Sequence, residues 1–147
     1  LARIPASFQN IEELKFYMSL FQLALEVRKN AHAPYSKFKV GAAIRSMNGK
    51  IFVGCNVENA AYPQGICAEA GAITAMIAGG ENEIKEICVV ADSPVPIAPC
   101  GGCRQKIAEF CTPDIPVVLA DLKGETKRIS MGELLPHAFS NAHLPEE

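Results

Sequence analysis

The sequence predicts a three-layer α/β/α sandwich around a central mixed five-stranded sheet. Three observations lead to this fold class. Helical periodicity and strand-like alternation take turns along the chain, the connections between them are short, and no repeat or low-complexity tract interrupts them. The predicted order of elements is α-β-β-α-β-α-β-β-α. A chain of 147 residues suits one domain over 1–147, with its core between about residues 10 and 140.

The first part of the chain predicts a helix followed by a β-hairpin. Asn10 is a candidate N-cap for a helix over 11–29, where apolar residues recur at spacings of three and four. Residues 39–45 alternate between apolar and polar, and the alternation resumes over 51–55. Between these two runs, Asn48-Gly49 predicts a two-residue hairpin turn.

The second part of the chain predicts two longer helices, three strands and a short last helix. The predicted helices cover 67–78 and 101–111, and the predicted strands cover 87–91, 116–120 and 126–130. Gly79-Gly80 marks the end of the first of these helices. Ser130 with Glu133 resembles a capping box for the C-terminal helix.

Composition and charge exclude several classes of function. The net charge is −2, with 14 basic and 16 acidic residues, and this balance gives no basic footprint for a nucleic acid polymer. No apolar run reaches the roughly 18 residues of a membrane span, and the first residues do not read as a signal peptide. We therefore expect a cytoplasmic protein with no membrane partner. In that compartment, clustered cysteines are more often metal ligands or catalytic groups than disulfides.

Two short motifs supply three thiols and one carboxylate. Cys67-Ala68-Glu69 is followed, after residues 70–98, by Pro99-Cys100-Gly101-Gly102-Cys103. A structural zinc site usually has four protein ligands, whereas a catalytic zinc site has three and leaves the fourth position to water. The sequence therefore predicts one catalytic Zn²⁺ per subunit with the ligands Cys67, Cys100 and Cys103, and it places Glu69 beside the activated water.

The spacing of these motifs has a geometric consequence. Cys67 and Glu69 would point to opposite sides of a regular helix, so both can face one ion only at the mouth of the helix. Two helix N-termini are then expected to converge on the zinc. Three thiolates on a divalent ion leave a net charge of −1, which free N–H groups and helix dipoles partly offset.

The cysteines also have alternative interpretations. Cys100 and Cys103 alone would fit a redox pair, although such a pair needs neither a third thiol nor a carboxylate upstream. The other three cysteines are expected to be small buried apolar residues, namely Cys55, Cys88 and Cys111.

At this point the residues resemble a known family. The zinc-deaminase signature H-x-E…P-C-x-x-C has an all-cysteine variant, which the two motifs match. The segments 34–43, 54–63 and 134–139 are similar to the small homotetrameric cytidine deaminases of pyrimidine salvage. The resemblance extends from about residue 10 to residue 140.

The resemblance implies a reaction as well as a fold. Zinc would lower the pKa of a bound water, and the resulting nucleophile would attack C4 of cytosine. Glu69 would carry a proton from that water to N3 and later to the leaving amine. The implied activity is deamination of cytidine and deoxycytidine to uridine and deoxyuridine with release of ammonia, in a homotetramer whose active sites are shared between subunits.

The resemblance also implies the substrate contacts. Asn56 and Glu58 correspond to residues that hydrogen-bond the ribose 3′-hydroxyl, and Phe38 corresponds to the aromatic residue that packs on the base. The backbone of Ala68 and the side chain of Glu69 correspond to groups that recognise the polar edge of the base. Three further residues correspond to groups that reach a neighbouring subunit's site, namely Ala60, Tyr62 and Phe139.

Without the resemblance, these residues indicate less. Phe38 and Phe139 would be ordinary core residues, and Asn56 and Glu58 would be solvated polar groups at the end of a loop. These alternatives stay open at this stage.

Position 70 departs from the pattern of the family. Many all-cysteine members have an arginine there that hydrogen-bonds the thiolates, whereas this chain has Ala70. The helix dipoles would then offset more of the charge. Arg104, directly after Cys103, either helps them or is a solvated or packing arginine.

Three other functions remain as alternatives. A polynucleotide-editing deaminase would need a phosphate-binding surface, which the net charge disfavours. A deaminase for another amino-heterocycle, such as an aminonucleoside antibiotic or guanine, would keep Glu69 but change the region of Asn56 and Glu58. A non-enzymatic zinc module would need a fourth protein ligand.

Overall fold

The computed structural model describes residues 18–146, which form a mixed five-stranded sheet with helices on both faces. The helices are α1 (Leu20–Arg28), α2 (Ala68–Ala78), α3 (Gly101–Glu109) and α4 (Met131–Leu134), and the strands are β1 (Val40–Ser46), β2 (Ile51–Cys55), β3 (Ile84–Ala91), β4 (Pro116–Ala120) and β5 (Glu125–Ser130). This order confirms the predicted α/β/α sandwich. No helix in this part of the chain is long and apolar enough to cross a membrane.

The topology of the sheet brings the start of β1 and the ends of β2 and β3 to the same end of the sheet. The spatial order is β2-β1-β3-β4-β5, with β3 and β4 parallel and the other neighbours antiparallel. Because β1 runs opposite to β2 and β3, Val40 at its start pairs with Ala91 at the end of β3. Gly41 pairs with Cys55 at the end of β2. The segments that leave or enter the sheet at this end carry the residues of the candidate site.

The first described helix starts later than predicted. A continuous helix over 11–29 is wrong, because Ser19 has an extended backbone (φ −67°, ψ 158°) and caps α1. The Ser19 hydroxyl accepts from the Gln22 N–H at 3.2 Å, and the Ser19 N–H donates to the Gln22 side chain at 3.0 Å. Such a capping box satisfies N–H groups at a helix start, which the spacing of apolar residues does not reveal. Asn10 and residues 11–17 lie outside the described residues.

The β1–β2 hairpin has the predicted position but a longer loop. Its loop is the three residues Met47-Asn48-Gly49 rather than two, since the Ser46 N–H donates to the Lys50 carbonyl at 2.8 Å. Gly49 has φ +85°, a left-handed conformation that glycine adopts without strain. Three-residue loops with a left-handed glycine are common in hairpins.

The later elements mostly match the prediction. β3 begins at Ile84 rather than at residue 87. The charged Lys85 and Glu86 interrupt the apolar run from which the strand was predicted, so its first three residues were missed. α3 ends at Glu109 rather than at residue 111. The hydroxyl of Ser130 accepts from the Glu133 N–H at 3.2 Å, which is half of the predicted capping box.

The sheet is buried on both faces. Helices α2, α3 and α4 cover one face, and the core there includes Ile44, Met76, Val89, Ile107 and Leu119. Helix α1 covers the other face, with a core that includes Ala24, Ala43, Cys88, Val90 and Val118. Cys88 is buried as predicted, whereas Cys55 and Cys111 are only half-buried, and all six cysteines are free thiols.

Strand β2 and helix α2 touch through their backbones. A Cβ atom on Gly54 would lie 2.3 Å from the Ala72 nitrogen and 2.5 Å from the Ala68 oxygen. Glycine is required here for a close approach rather than for a turn. The contact fixes the start of α2, and with it Cys67, against the end of β2.

Candidate active site

Three cysteines meet where α2 and α3 begin. Cys67 and Cys100 are the N-cap residues of the two helices, with extended backbones (φ −73°, ψ 155° and φ −64°, ψ 165°). Cys103 is buried in the first turn of α3. The three Sγ atoms lie within 4.8 Å of one another, and those of Cys67 and Cys100 are 4.0 Å apart. Tetrahedral zinc with Zn–S bonds of about 2.3 Å places its sulfur ligands about 3.8 Å apart, so these donors fit zinc.

The two helix N-termini converge on this cluster, as the sequence predicted. Neither Cys67 nor Cys100 uses its side chain to cap its own helix. The first N–H groups of each helix have no acceptor within the helix, and they carry the positive end of the helix dipole. The arrangement favours anionic sulfur.

Glu69 is a buried carboxylate next to the cysteines. It is the second residue of α2 and only 5% exposed, and the Cys103 thiol lies 3.5 Å from its Oε2. Burial raises the pKa of the Glu69 carboxyl, while hydrogen bonds from its own N–H and from Cys103 and the charge of Lys106 oppose that rise. This rise moves the carboxyl toward the range in which one group serves as both base and acid, as general acid–base catalysis requires.

The thiols differ in acidity. Burial raises the pKa of Cys103 and of Cys67, whereas the Cys103 N–H lowers the pKa of Cys100. Metal binding needs deprotonated sulfur. Loading of zinc therefore releases protons from the thiols.

A cavity of about 280 Å³ opens beside Glu69 and the cysteines. Its walls are Ser36, Phe38, Val40, Asn56, Glu58, Cys67, Ala68, Glu69, Ile97, Ala98 and Cys100. Four of the predicted substrate contacts lie in this wall, namely Phe38, Asn56, Glu58 and Ala68. The predicted site residues do not include Ser36, Val40, Ile97 or Ala98. For Ile97 and Ala98 the available signal was their position directly before Pro99-Cys100.

Asn56 holds the start of β1. Its Oδ1 accepts from the Val40 N–H at 2.8 Å, and its Nδ2 donates to the Phe38 carbonyl at 2.8 Å. An amide has a second N–H and a second acceptor site. Asn56 therefore braces the Phe38 backbone and retains the capacity for a further hydrogen bond in the cavity.

Glu58 is bonded to the loop that carries Phe38. Its Oε1 accepts from the Tyr35 N–H at 2.9 Å and from the Ser36 N–H at 3.1 Å, and its Oε2 accepts from the Ser36 hydroxyl. These hydrogen bonds lower the pKa of Glu58, and the one from the Ser36 hydroxyl has the largest effect. The Ser36 Oγ in turn accepts from the Phe38 N–H at 3.0 Å. Glu58 is thus a fixed, ionised group, and the interpretation as a freely solvated loop residue is wrong.

The three residues expected at a neighbouring subunit's site do not line this cavity. Ala60 is exposed, and the side chains of Tyr62 and Phe139 are 74% and 58% exposed. Phe139 stacks on His143, with ring centroids 5.3 Å apart. The interpretation of Phe139 as a core residue is therefore wrong. Within one chain, Phe139 also lies outside the cavity beside Glu69 and the cysteines.

Arg104 binds the backbone and not the cysteines. Its Nε donates to the Pro99 carbonyl at 2.9 Å, and its NH1 donates to the Leu134 carbonyl at 2.8 Å. These bonds tie the loop before α3 to α4. The structure favours the packing interpretation of Arg104 over a role in balancing thiolate charge.

Comparisons with known proteins agree with this geometry. The family model for the cytidine and deoxycytidylate deaminase zinc-binding region matches residues 14–119. A cytidine deaminase of Sporosarcina psychrophila is 46% identical over 119 residues, covering 81% of this chain and 88% of the relative. One of Halalkalibacterium halodurans is 42% identical over 121 residues, covering 82% and 92%.

Solved structures agree as well. The crystal structure of cytidine deaminase from Burkholderia pseudomallei matches with a TM-score of 0.79 at 45% identity, covering 83% of this chain and all of that one. That of cytidine deaminase from Mycobacterium tuberculosis matches with a TM-score of 0.73 at 32% identity, covering 82% and 94%. With its three-cysteine cluster and adjacent glutamate, this chain belongs to the cytidine and deoxycytidylate deaminase family.

Proposed function

We propose that this protein is a zinc-dependent hydrolase that converts cytidine and deoxycytidine to uridine and deoxyuridine with release of ammonia, as in pyrimidine salvage. The observation that carries the proposal is the position of Glu69. This buried carboxylate lies beside a three-thiol metal site and lines a cavity whose wall also holds a fixed amide and a fixed carboxylate. The names of the similar proteins support the same activity.

Zinc, when bound by Cys67, Cys100 and Cys103, supplies a water of lowered pKa at neutral pH. Glu69 accepts the proton that this water loses and delivers it to N3 of the cytosine ring. It then accepts the proton of the hydroxyl group added at C4 and gives it to the exocyclic amine, so that the C4–N bond breaks, a C4 carbonyl forms and ammonia leaves. The raised pKa of Glu69 suits both directions of transfer.

Two polar residues in the wall of the cavity would select a nucleoside. Asn56 and Glu58 each have hydrogen-bonding capacity left after bracing the loop, and a ribose 3′-hydroxyl would satisfy it. Phe38, 38% exposed at the cavity wall, offers an apolar surface for the base. The N–H of Ala68, in the first turn of α2, has no acceptor within the helix and would bind the polar edge of the base.

The direct test is the loss of cytidine ultraviolet absorbance on addition of the zinc-loaded protein. Deoxycytidine should react as well, and cytosine, cytidine monophosphate and guanine serve as controls. Activity on the monophosphate but not on the nucleoside would overturn the substrate assignment. Activity on guanine alone would favour a deaminase for another amino-heterocycle.

Glu69→Gln tests the catalytic role. Glutamine has nearly the same shape but cannot carry the proton, so we expect zinc content near that of the parent and a fall in kcat of several orders of magnitude. Zinc content by atomic absorption and kcat on cytidine are measured on the same samples. Near-normal turnover with zinc retained would remove Glu69 from this role.

We further propose that the chain folds as one domain over 1–147 and assembles as a cytoplasmic homotetramer with shared active sites. The exposure of Ala60, Tyr62 and Phe139 supports the sharing, because their exposed surfaces can contact a second copy. The six free thiols suit a reducing compartment. Light scattering should give four times the subunit mass of 15.8 kDa.

A further inference from the structure

The metal site concentrates negative charge. Three thiolates on one Zn²⁺ leave a net charge of −1, and the Glu69 carboxylate lies directly beside them. Within residues 18–146, no basic side chain hydrogen-bonds the sulfur atoms of this cluster. Arg104 is occupied by two carbonyl groups. A partly buried site of this charge is stabilised by any cation held nearby.

Lys106 is such a cation. It follows Gly102 by one helical turn on α3, and side chains on a helix lean back toward its N-terminus. Its Nζ lies 3.5 Å from the point where a Cβ of Gly102 would stand, and the Sγ of Cys100 lies 4.0 Å from the same point. The ammonium and the sulfur are therefore no more than 7.5 Å apart, the sum of these two distances.

Among the described residues, no carboxylate pairs with Lys106 and neutralises its charge. No carboxylate of the described residues lies within salt-bridge distance of its Nζ. Its charge also acts on Glu69, where it opposes the rise in the pKa of the carboxyl.

We propose that Lys106 balances the excess negative charge of the zinc–thiolate centre and so strengthens zinc binding. Lys106 is not a ligand and contacts no substrate atom. It acts over a distance shorter than the Debye length of about 8–10 Å at moderate salt. The inference rests on the zinc site of the proposed function and not on the identity of the substrate.

The test measures zinc affinity without substrate. The parent, Lys106→Met and Lys106→Arg are each titrated with Zn²⁺ against a chromophoric chelator at pH 7.5. One unit charge at this separation predicts zinc binding about 3- to 30-fold weaker in Lys106→Met. Lys106→Arg keeps the charge and should stay within about twofold of the parent. Lys85→Met makes the same change in net charge at the start of β3, the opposite end of the sheet from the site, and should leave zinc affinity unchanged.

Salt separates an electrostatic role from a structural one. The difference between the parent and Lys106→Met should shrink as NaCl rises from about 0.05 M to 1 M, because the Debye length falls to about 3 Å. Equal affinities in the parent and Lys106→Met at low salt would overturn the inference, as would a difference that salt does not change. If the parent itself binds no zinc, the metal site fails first, so the two failures are distinguishable.

Discussion

Gly54→Ala should damage both stability and the metal site, because β2 and α2 meet through backbone atoms. The new Cβ would stand 2.3 Å from the Ala72 nitrogen, 2.5 Å from the Ala68 oxygen and 2.7 Å from the Gly71 carbonyl carbon. Ordinary van der Waals contact begins at 3.4 Å, so α2 must move outward by about 1.1 Å, the difference between 3.4 and 2.3 Å. No side-chain rotation relieves this clash.

The expected free energy follows from the kind of atom involved. Overpacking a core costs about 1–3 kcal/mol where side chains adjust, and here only backbone does, so we expect at least about 3 kcal/mol. For a chain of this size that corresponds to a fall in Tm of roughly 6–12 °C. The same displacement shifts Cys67, at the start of α2, relative to Cys100, whose sulfur is 4.0 Å from that of Cys67. Zinc affinity should fall with stability.

Gly71→Ala is the matched control on the other side of the same contact. Its Cβ would lie 3.5 Å from the Gly54 Cα and 3.6 Å from the Cys55 oxygen, which are ordinary contacts. An alanine inside a helix is favoured over glycine by up to about 1 kcal/mol, so this variant should be as stable as the parent or more stable. Urea unfolding and zinc content are measured for both. Gly54→Ala with the stability of the parent would refute the backbone contact.

Three further predictions concern the site. Ser36→Ala removes a hydrogen bond that lowers the pKa of Glu58, so the pKa of Glu58 should rise. The KM for cytidine should rise several-fold with little change in kcat. Because Glu58 is then protonated at a higher pH, the increase of KM toward acidic pH should also begin at a higher pH. An unchanged pH profile of KM would contradict this. Arg104→Ala removes two hydrogen bonds from a cation to the Pro99 and Leu134 carbonyls. Urea unfolding should show that the free energy of unfolding falls by about 2 kcal/mol. An unchanged free energy of unfolding would argue against the packing role. Zinc affinity should fall as pH drops from 8.5 to 6.5, because protons compete for sulfur; chelator competition measures it, and a pH-independent affinity would contradict thiolate ligation.

Local patterns foretold most of the secondary structure. The three-apart cysteines and the Gly79-Gly80 stop are signals that a few neighbouring residues carry, and the structure places α2 and α3 accordingly. Local patterns failed where a single side chain changed the backbone. Ser19 starts α1 inside an uninterrupted apolar stripe, and the left-handed Gly49 adds a third residue to the hairpin loop.

The sequence by itself determined the order of the elements, the three candidate zinc ligands and the adjacent carboxylate, because each follows from residue type and short spacing. Only the tertiary structure decided how the distant segments meet. Glu58 bonds the backbone of a loop 22 residues earlier, and Cys67 reaches Cys100 across 33 residues. The Lys106 Nζ comes within 7.5 Å of the Cys100 sulfur, the sum of the 3.5 and 4.0 Å that separate each of them from the Cβ position of Gly102. Such contacts arise from the packing of α2 and α3 on the sheet, which no window of neighbouring residues contains.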